Sequence, residues 1–240
     1  MKKVALVTGG TRGIGESISK LLNENNYTVI ASYNSNDEAA QKFASKNEID
    51  IEKWDVSSYE ETKTAIEKLK SKYGQIDILV NNAGITKDAP LHKMKKEKWD
   101  AVINVNLNSI FNLTSNVIND MRDNGFGRII HISSVNGQKG QFGQTNYSAT
   151  KAAMEGFSKS LALESASKGI TSNVISPGYI NTEMVAAIRE DILSNIIETI
   201  PAKRLGESNE IAEMVLYLVS EKAGYINGAT FSINGGLYMD

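Results

Sequence analysis

The chain has 240 residues, 41% of them hydrophobic, and its 26 basic and 28 acidic side chains leave a formal net charge of −2. That size and apolar content can bury one large core, so residues 1–240 are expected to form a single domain. The balanced charge leaves no basic footprint for nucleic acid, the absence of cysteine removes disulfides and thiol chemistry, and with His92 and His131 the only imidazoles no metal site is expected. Short, continuously apolar runs read as buried parallel strands, and they recur at 4–8, 27–32, 49–54, 76–81, 127–133, 171–176 and 229–233. Helical periodicity fills the intervals at 14–25, 37–46, 58–73, 97–123, 147–168 and 208–220, with Ser57 and Glu60 spaced as a capping box for the third. The alternation predicts an α/β fold, a doubly wound sheet of seven parallel strands whose ligands lie beyond the strands' carboxyl ends. Two helical segments, 97–121 and 149–163, are apolar nearly all round, which predicts burial on two sides with a second subunit on one of them. The apolar run after Met1-Lys2-Lys3 stops at Thr8-Gly9-Gly10, too short for an export signal. No later run could cross a membrane, so a cytoplasmic protein without membrane contact is expected.

Three motifs carry chemistry. Thr8-Gly9-Gly10-Thr11-Arg12-Gly13-Ile14-Gly15 follows the first strand and opens the first helix, the arrangement of a Rossmann dinucleotide cradle. Its glycines 9, 13 and 15 allow a sharp turn and let backbone amides approach a pyrophosphate at the helix's positive end. Asn81-Asn82-Ala83-Gly84 ends the fourth strand, where small residues give a ribose and a nicotinamide room beside the backbone. Ser134 ends the fifth strand, and Tyr147 and Lys151 stand one helical turn apart just beyond it. A phenol with an ordinary pKa near 10 is a poor acid at neutral pH. An ammonium about 4 Å away would favour the phenolate by roughly three pKa units at an effective dielectric of about 20. The expectation is therefore a Tyr147 acid tuned downward by Lys151, with Ser134 holding a carbonyl in place.

In this order and at these separations, the glycine motif, Asn82-Ala83-Gly84, Asn106, Ser134, Tyr147-x-x-x-Lys151 and Pro177-Gly178 resemble the short-chain dehydrogenase/reductase family over essentially the whole chain. The resemblance implies catalysis by Asn106, Ser134, Tyr147 and Lys151, with Asn106 holding a water behind the lysine. It implies a cofactor site made of Gly9, Thr11, Arg12, Gly13, Ile14, Gly15, Asp55, Asn82, Ala83, Gly84, Tyr147, Lys151, Pro177, Gly178 and Ile180, and a homotetramer. Asp55 is by this resemblance an adenine neighbour and by its position equally a turn residue. Ser133 is the competing hydroxyl to Ser134. The second strand ends in Ala31-Ser32-Tyr33-Asn34 without the carboxylate expected for NAD, and Asn36-Asp37-Glu38 reads as a helix cap. With Arg12 available to a 2′-phosphate, NADPH is the expected cofactor.

Within the family, the loop at 135–146 and the Ser176-Pro177-Gly178-Tyr179-Ile180 stretch look like those of acetoacetyl-CoA reductases. This implies reduction of a small acyl-CoA to the (R)-3-hydroxy product, with Gln141, Phe142, Gln144 and Tyr179 lining the substrate. The related carrier-protein reductases use two basic docking positions, matched here by Lys168 and, without a charge, by Gly125, a departure that favours CoA. An NADP-binding regulator on the same fold would be expected to lack part of the catalytic set, which is complete here.

Overall fold

The computed structural model describes residues 2–186 and 188–239, and the side chain of Met184 lies outside what is described. Seven parallel strands form one sheet in the order β3-β2-β1-β4-β5-β6-β7: β1 (Val4–Val7), β2 (Thr28–Tyr33), β3 (Asp50–Lys53), β4 (Ile78–Asn81), β5 (Gly127–Ile132), β6 (Ile170–Pro177) and β7 (Thr230–Ile233). The central strands β1, β4, β5 and β6 are buried along their whole length, as parallel strands covered on both faces are, although β6 buries the polar residues Thr171, Ser172, Asn173 and Ser176 among its apolar ones. Helices α1 (Gly13–Glu24), α2 (Asp37–Asn47) and α10 (Ser208–Val219) cover one face, where Ile18, Phe43 and Val215 join the core. The other face is covered by α3 (Tyr59–Tyr73), α5 (Ser109–Asn124) and α7 (Thr145–Ser165), and Ile66, Leu113 and Leu161 pack there. Strand order reverses between β1 and β4, the switch point where such sheets open a ligand crevice.

The long helical pattern at 97–123 resolves into α4 (Lys96–Ile103), a π-helical turn at Asn104–Asn108, and α5. The third helix is capped one residue later than the spacing suggests: Ser58 accepts from the Glu61 amide, while the Ser57 hydroxyl donates to Asp55. Short helices α6 (Val135–Lys139), α8 (Glu183–Ala186) and α9 (Glu190–Thr199) lie in stretches without a predicted element. The exposed edge strand β3 is bordered by ion pairs from Asp50 to Lys72, Glu52 to Lys68 and Lys53 to Asp37. Such charges deter pairing with a further strand.

Candidate active site

The glycine loop after β1 is bound to the end of β4. The Thr8 hydroxyl accepts from the amides of Asn82 and Ala83, each at 3.0 Å, and the Asn82 side chain donates back to the carbonyls of Thr8 and Gly9 at 2.9 and 3.2 Å. A Cβ on Gly15 would lie 2.2 Å from the Gly9 carbonyl oxygen, so no side chain fits there. Gly9 and Gly13 adopt φ of 59° and 55°, the left-handed region that glycine enters without cost. Helix α1 begins at Arg12 with no side-chain cap, leaving its first amides available, and Ile14 packs partly into the core beneath them. Thr182, just past Ile180, lies 3.7 Å from where a Cβ of Gly13 would be, so the chain after β6 closes over the start of α1. Pro177 ends β6, and a Cβ on Gly178 would come within 2.8 Å of Asn234. A narrow cradle floored by glycines and ending in an open helix terminus fits a dinucleotide pyrophosphate. The missed member is Gly10, whose Cβ would meet the Val7 carbonyl at 2.7 Å; the doubled glycine was its signal.

The residues expected to carry catalysis gather on the other side of Gly84. Asn106, fully buried in the π turn, accepts from the Ile85 amide at 2.8 Å and donates to the Ile85 carbonyl at 3.0 Å and to Thr150 at 3.3 Å. It thus pins the loop that follows β4, at Ile85, to Thr150 of α7. A Cβ on Gly84 would lie 3.4 Å from the Asn106 carbonyl oxygen and 3.6 Å from the Lys151 Nζ, which places the lysine directly beside this backbone. Ser134 caps α6, accepting from the Asn136 amide at 3.1 Å, and stands near enough to Tyr147 to pull its pKa down somewhat. Ser133, the competing hydroxyl, instead donates to the Lys151 carbonyl at 2.8 Å.

Electrostatics correct one expectation. The Lys151 Nζ donates to the Ile132 carbonyl at 2.7 Å and lies 5.5 Å from the Tyr147 ring centre. Burial lowers the lysine to about 7, and burial pushes the Tyr147 phenol up to about 12, only partly offset by Ser134 and reinforced by the charge of Asp88. The expected lowering of the phenol is therefore reversed, because loss of solvent weakens both charged forms before they can support each other. In this state the phenol holds its proton firmly and the ammonium is the group poised near neutrality.

Beneath this set is a buried polar chain. His131 on β5 receives the Asn81 amide at its Nδ1 and meets Ser172 of β6 through Nε2, each at 3.2 Å, and Ser172 meets Ser158 of α7 at 2.9 Å. Its imidazole lies edge-on to Phe157, and burial, with some help from the Lys151 charge, lowers its pKa to about 3. His131 thus joins β4, β6 and, through Ser172, α7 around β5.

Of the predicted substrate residues, Gln144 and Tyr179 converge on Asn136. Gln144 accepts from its amide at 3.0 Å, and Tyr179 is hydrogen-bonded to it. Gln141 and Phe142 stand outside on the surface, the phenyl ring 85% exposed. Asn136 and Asp88, the latter accepting from Gln144 at 3.0 Å, were not singled out by the sequence, where nothing marks them. Asp55 accepts from the amide and hydroxyl of Ser57, so it forms the strand-end turn. Thr11 and Arg12 lie on the loop surface, and Arg12 is exposed.

A family model described as enoyl-(acyl carrier protein) reductase matches residues 9–238. An acetoacetyl-CoA reductase of Shinella zoogloeoides is 57% identical over 240 residues, all of both chains, and one of Rhizobium meliloti is 54% identical over the same span. A 3-oxoacyl-[acyl-carrier-protein] reductase of Haemophilus influenzae is 44% identical over 239 residues, covering 99% of this chain and 98% of that one.

Proposed function

This chain belongs to the short-chain dehydrogenase/reductase family, whose reductases bind a nicotinamide cofactor, and we propose that it reduces acetoacetyl-CoA to 3-hydroxybutyryl-CoA with NADPH. The observation that carries the chemistry is the gathering of a buried phenol, a nearby serine hydroxyl and a buried ammonium, Tyr147 with Ser134 acting on its pKa and Lys151 beside Gly84. Ser134 orients the ketone oxygen. Tyr147, protonated and raised to about 12, donates its proton to that oxygen as negative charge develops there. Lys151 stabilises the resulting phenolate and, near neutrality, can return a proton through its own titration. When bound, the reduced nicotinamide supplies the hydride. Asn106 keeps Gly84, Ile85 and α7 in fixed relation, so that acid and cofactor site move as one body.

The acyl-CoA reading is supported by the full-length similarity to acetoacetyl-CoA reductases at 57% and 54% identity. Gly125 supports it too: it closes α5 at φ 67°, a left-handed cap that disfavours the basic residue a carrier-protein dock would place there. The exposed apolar side chains Trp99, Phe111 and Leu163 on α4, α5 and α7 support burial against further subunits, and we propose a homotetramer. Among the described residues no helix is long and apolar enough to cross a membrane. The deciding experiment follows NADPH oxidation with acetoacetyl-CoA and with the acetoacetyl carrier protein. A higher kcat/KM for the CoA ester is expected, and a higher value for the carrier protein would move the enzyme to acyl chain synthesis.

A further inference from the structure

The carboxyl end of β2 holds a cluster that bears on which dinucleotide enters. In dinucleotide folds a carboxylate about twenty residues beyond the glycine motif accepts from the ribose 2′-hydroxyl of NAD. Asp37 stands at that separation and begins α2, capped by Asn36. Its carboxylate is already engaged, however: Lys53 reaches it at 2.8 Å and the Tyr33 hydroxyl is hydrogen-bonded to it. Lys53 ends β3 directly opposite Tyr33, the last residue of β2. The glycine loop touches the same strand end, because the Gly10 amide donates to the Ser32 carbonyl at 3.0 Å. A cation thus stands where the adenosine ribose of a dinucleotide in this cradle would lie, and the carboxylate that would otherwise prefer NAD is neutralised.

We propose that Lys53 selects for a phosphate on the ribose 2′ oxygen, both by masking Asp37 and by presenting its own ammonium to the phosphate. The inference rests on the NADPH reading above and adds to it a residue outside the glycine motif. Lysine suits the task as a mobile point charge, with half of its side chain in solvent and a flexible stem able to swing between a carboxylate and a phosphate. Arg12 is the exposed cation at the start of α1, so the contributions of the two cations can be separated by substitution.

The experiment is calorimetric titration of the purified protein with 2′,5′-ADP and with 5′-AMP, which differ only in the 2′-phosphate. The parent protein should prefer 2′,5′-ADP. In Lys53→Met the preference should fall by about tenfold or more, the usual weight of a charge-assisted hydrogen bond, and 5′-AMP should bind slightly tighter because the freed Asp37 can accept its 2′-hydroxyl. A merely structural loss at β3 and α2 would weaken both ligands alike, and that result overturns the inference. So does a preference unchanged in Lys53→Met but abolished in Arg12→Ala, which would leave the NADPH reading standing on Arg12 alone. If the parent protein shows no preference for 2′,5′-ADP, the NADPH reading itself falls.

Discussion

Replacing His131 with Asn should remove a defined part of the protein's sensitivity to acid. The ring is fully buried between β4, β6 and α7, and its pKa falls from 6.5 to about 3 on folding. Between those values the unfolded chain holds a proton that the folded chain refuses, so stability is intact above the unfolded pKa and declines as pH falls toward the folded one. At about 1.4 kcal/mol per pKa unit the full difference is roughly 5 kcal/mol, of which about 3 kcal/mol develops between pH 8 and pH 4.5. Surface carboxylates titrate in part of the same range, so the measurable quantity is the difference between two proteins. Urea unfolding of the parent and of His131→Asn, at equal protein concentration from pH 8 to pH 4.5, should give stability curves that converge by about 3 kcal/mol toward acid. Asparagine can still pair with Asn81 or Ser172 but takes up no proton, so its packing cost is the same at every pH. Curves that remain parallel would refute the claim that a buried neutral imidazole ties the catalytic helix to the sheet.

Tyr147→Phe should lower kcat by on the order of a hundredfold or more while leaving the cofactor dissociation constant nearly unchanged; near-normal turnover would exclude Tyr147 as the acid. The kcat/KM for the cofactor, which reports the free enzyme, should decline as pH rises through about 7, where Lys151 loses its charge. A flat profile across that range would show that the lysine's charge does not matter at the encounter. Gly15→Ala forces a methyl into 2.2 Å of the Gly9 carbonyl, and should cost roughly 1–3 kcal/mol of stability together with most of the cofactor affinity, read by denaturant melts and cofactor titration. Light scattering at micromolar concentration should report a tetramer, and Leu163→Glu, at a side chain 86% exposed in the single chain, should dissociate it; a monomeric parent protein would refute the interface reading.

The strands were legible because a parallel strand covered on both faces has almost no freedom in composition. Ile78 to Val80 and Ile129 to Ile130 are fully enclosed, and their runs mark the strands to within a residue or two. The short helices escaped for the opposite reason. Helix α9 has no fully buried residue, and its stripe of Leu193, Ile196 and Ile197 covers little more than one turn, too little periodicity to separate from a loop. In α6 five residues are held by the Ser134 cap, a local signal that the two adjacent serines concealed. Site residues were legible where a residue type at a spacing implied a geometry, as for Tyr147 and Lys151 one turn apart. The direction of the Tyr147 shift was not, because desolvation depends on what surrounds a group in space. The glutamine pair shows the same limit: Gln141 and Gln144 are alike in sequence, yet only Gln144 turns inward to Asn136 and Asp88.

The π turn at Asn104–Asn108 places one residue more in its turn than an α-helix holds. Everything after it is therefore rotated by about one residue's share of a turn, about 100°, relative to what precedes it. The face that α4 offers and the face that α5 offers are out of phase. A substitution at Asn106 can change what the bulge holds but cannot remove the bulge, since its existence is a matter of chain length. Only a deletion would restore an unbroken helix, and it would withdraw Asn106 from Ile85 while swinging Phe111 and its neighbours around the axis. The amide that pins the Ile85 loop and the outward apolar surface of α5 are thus inherited together, as two ends of a single inserted residue.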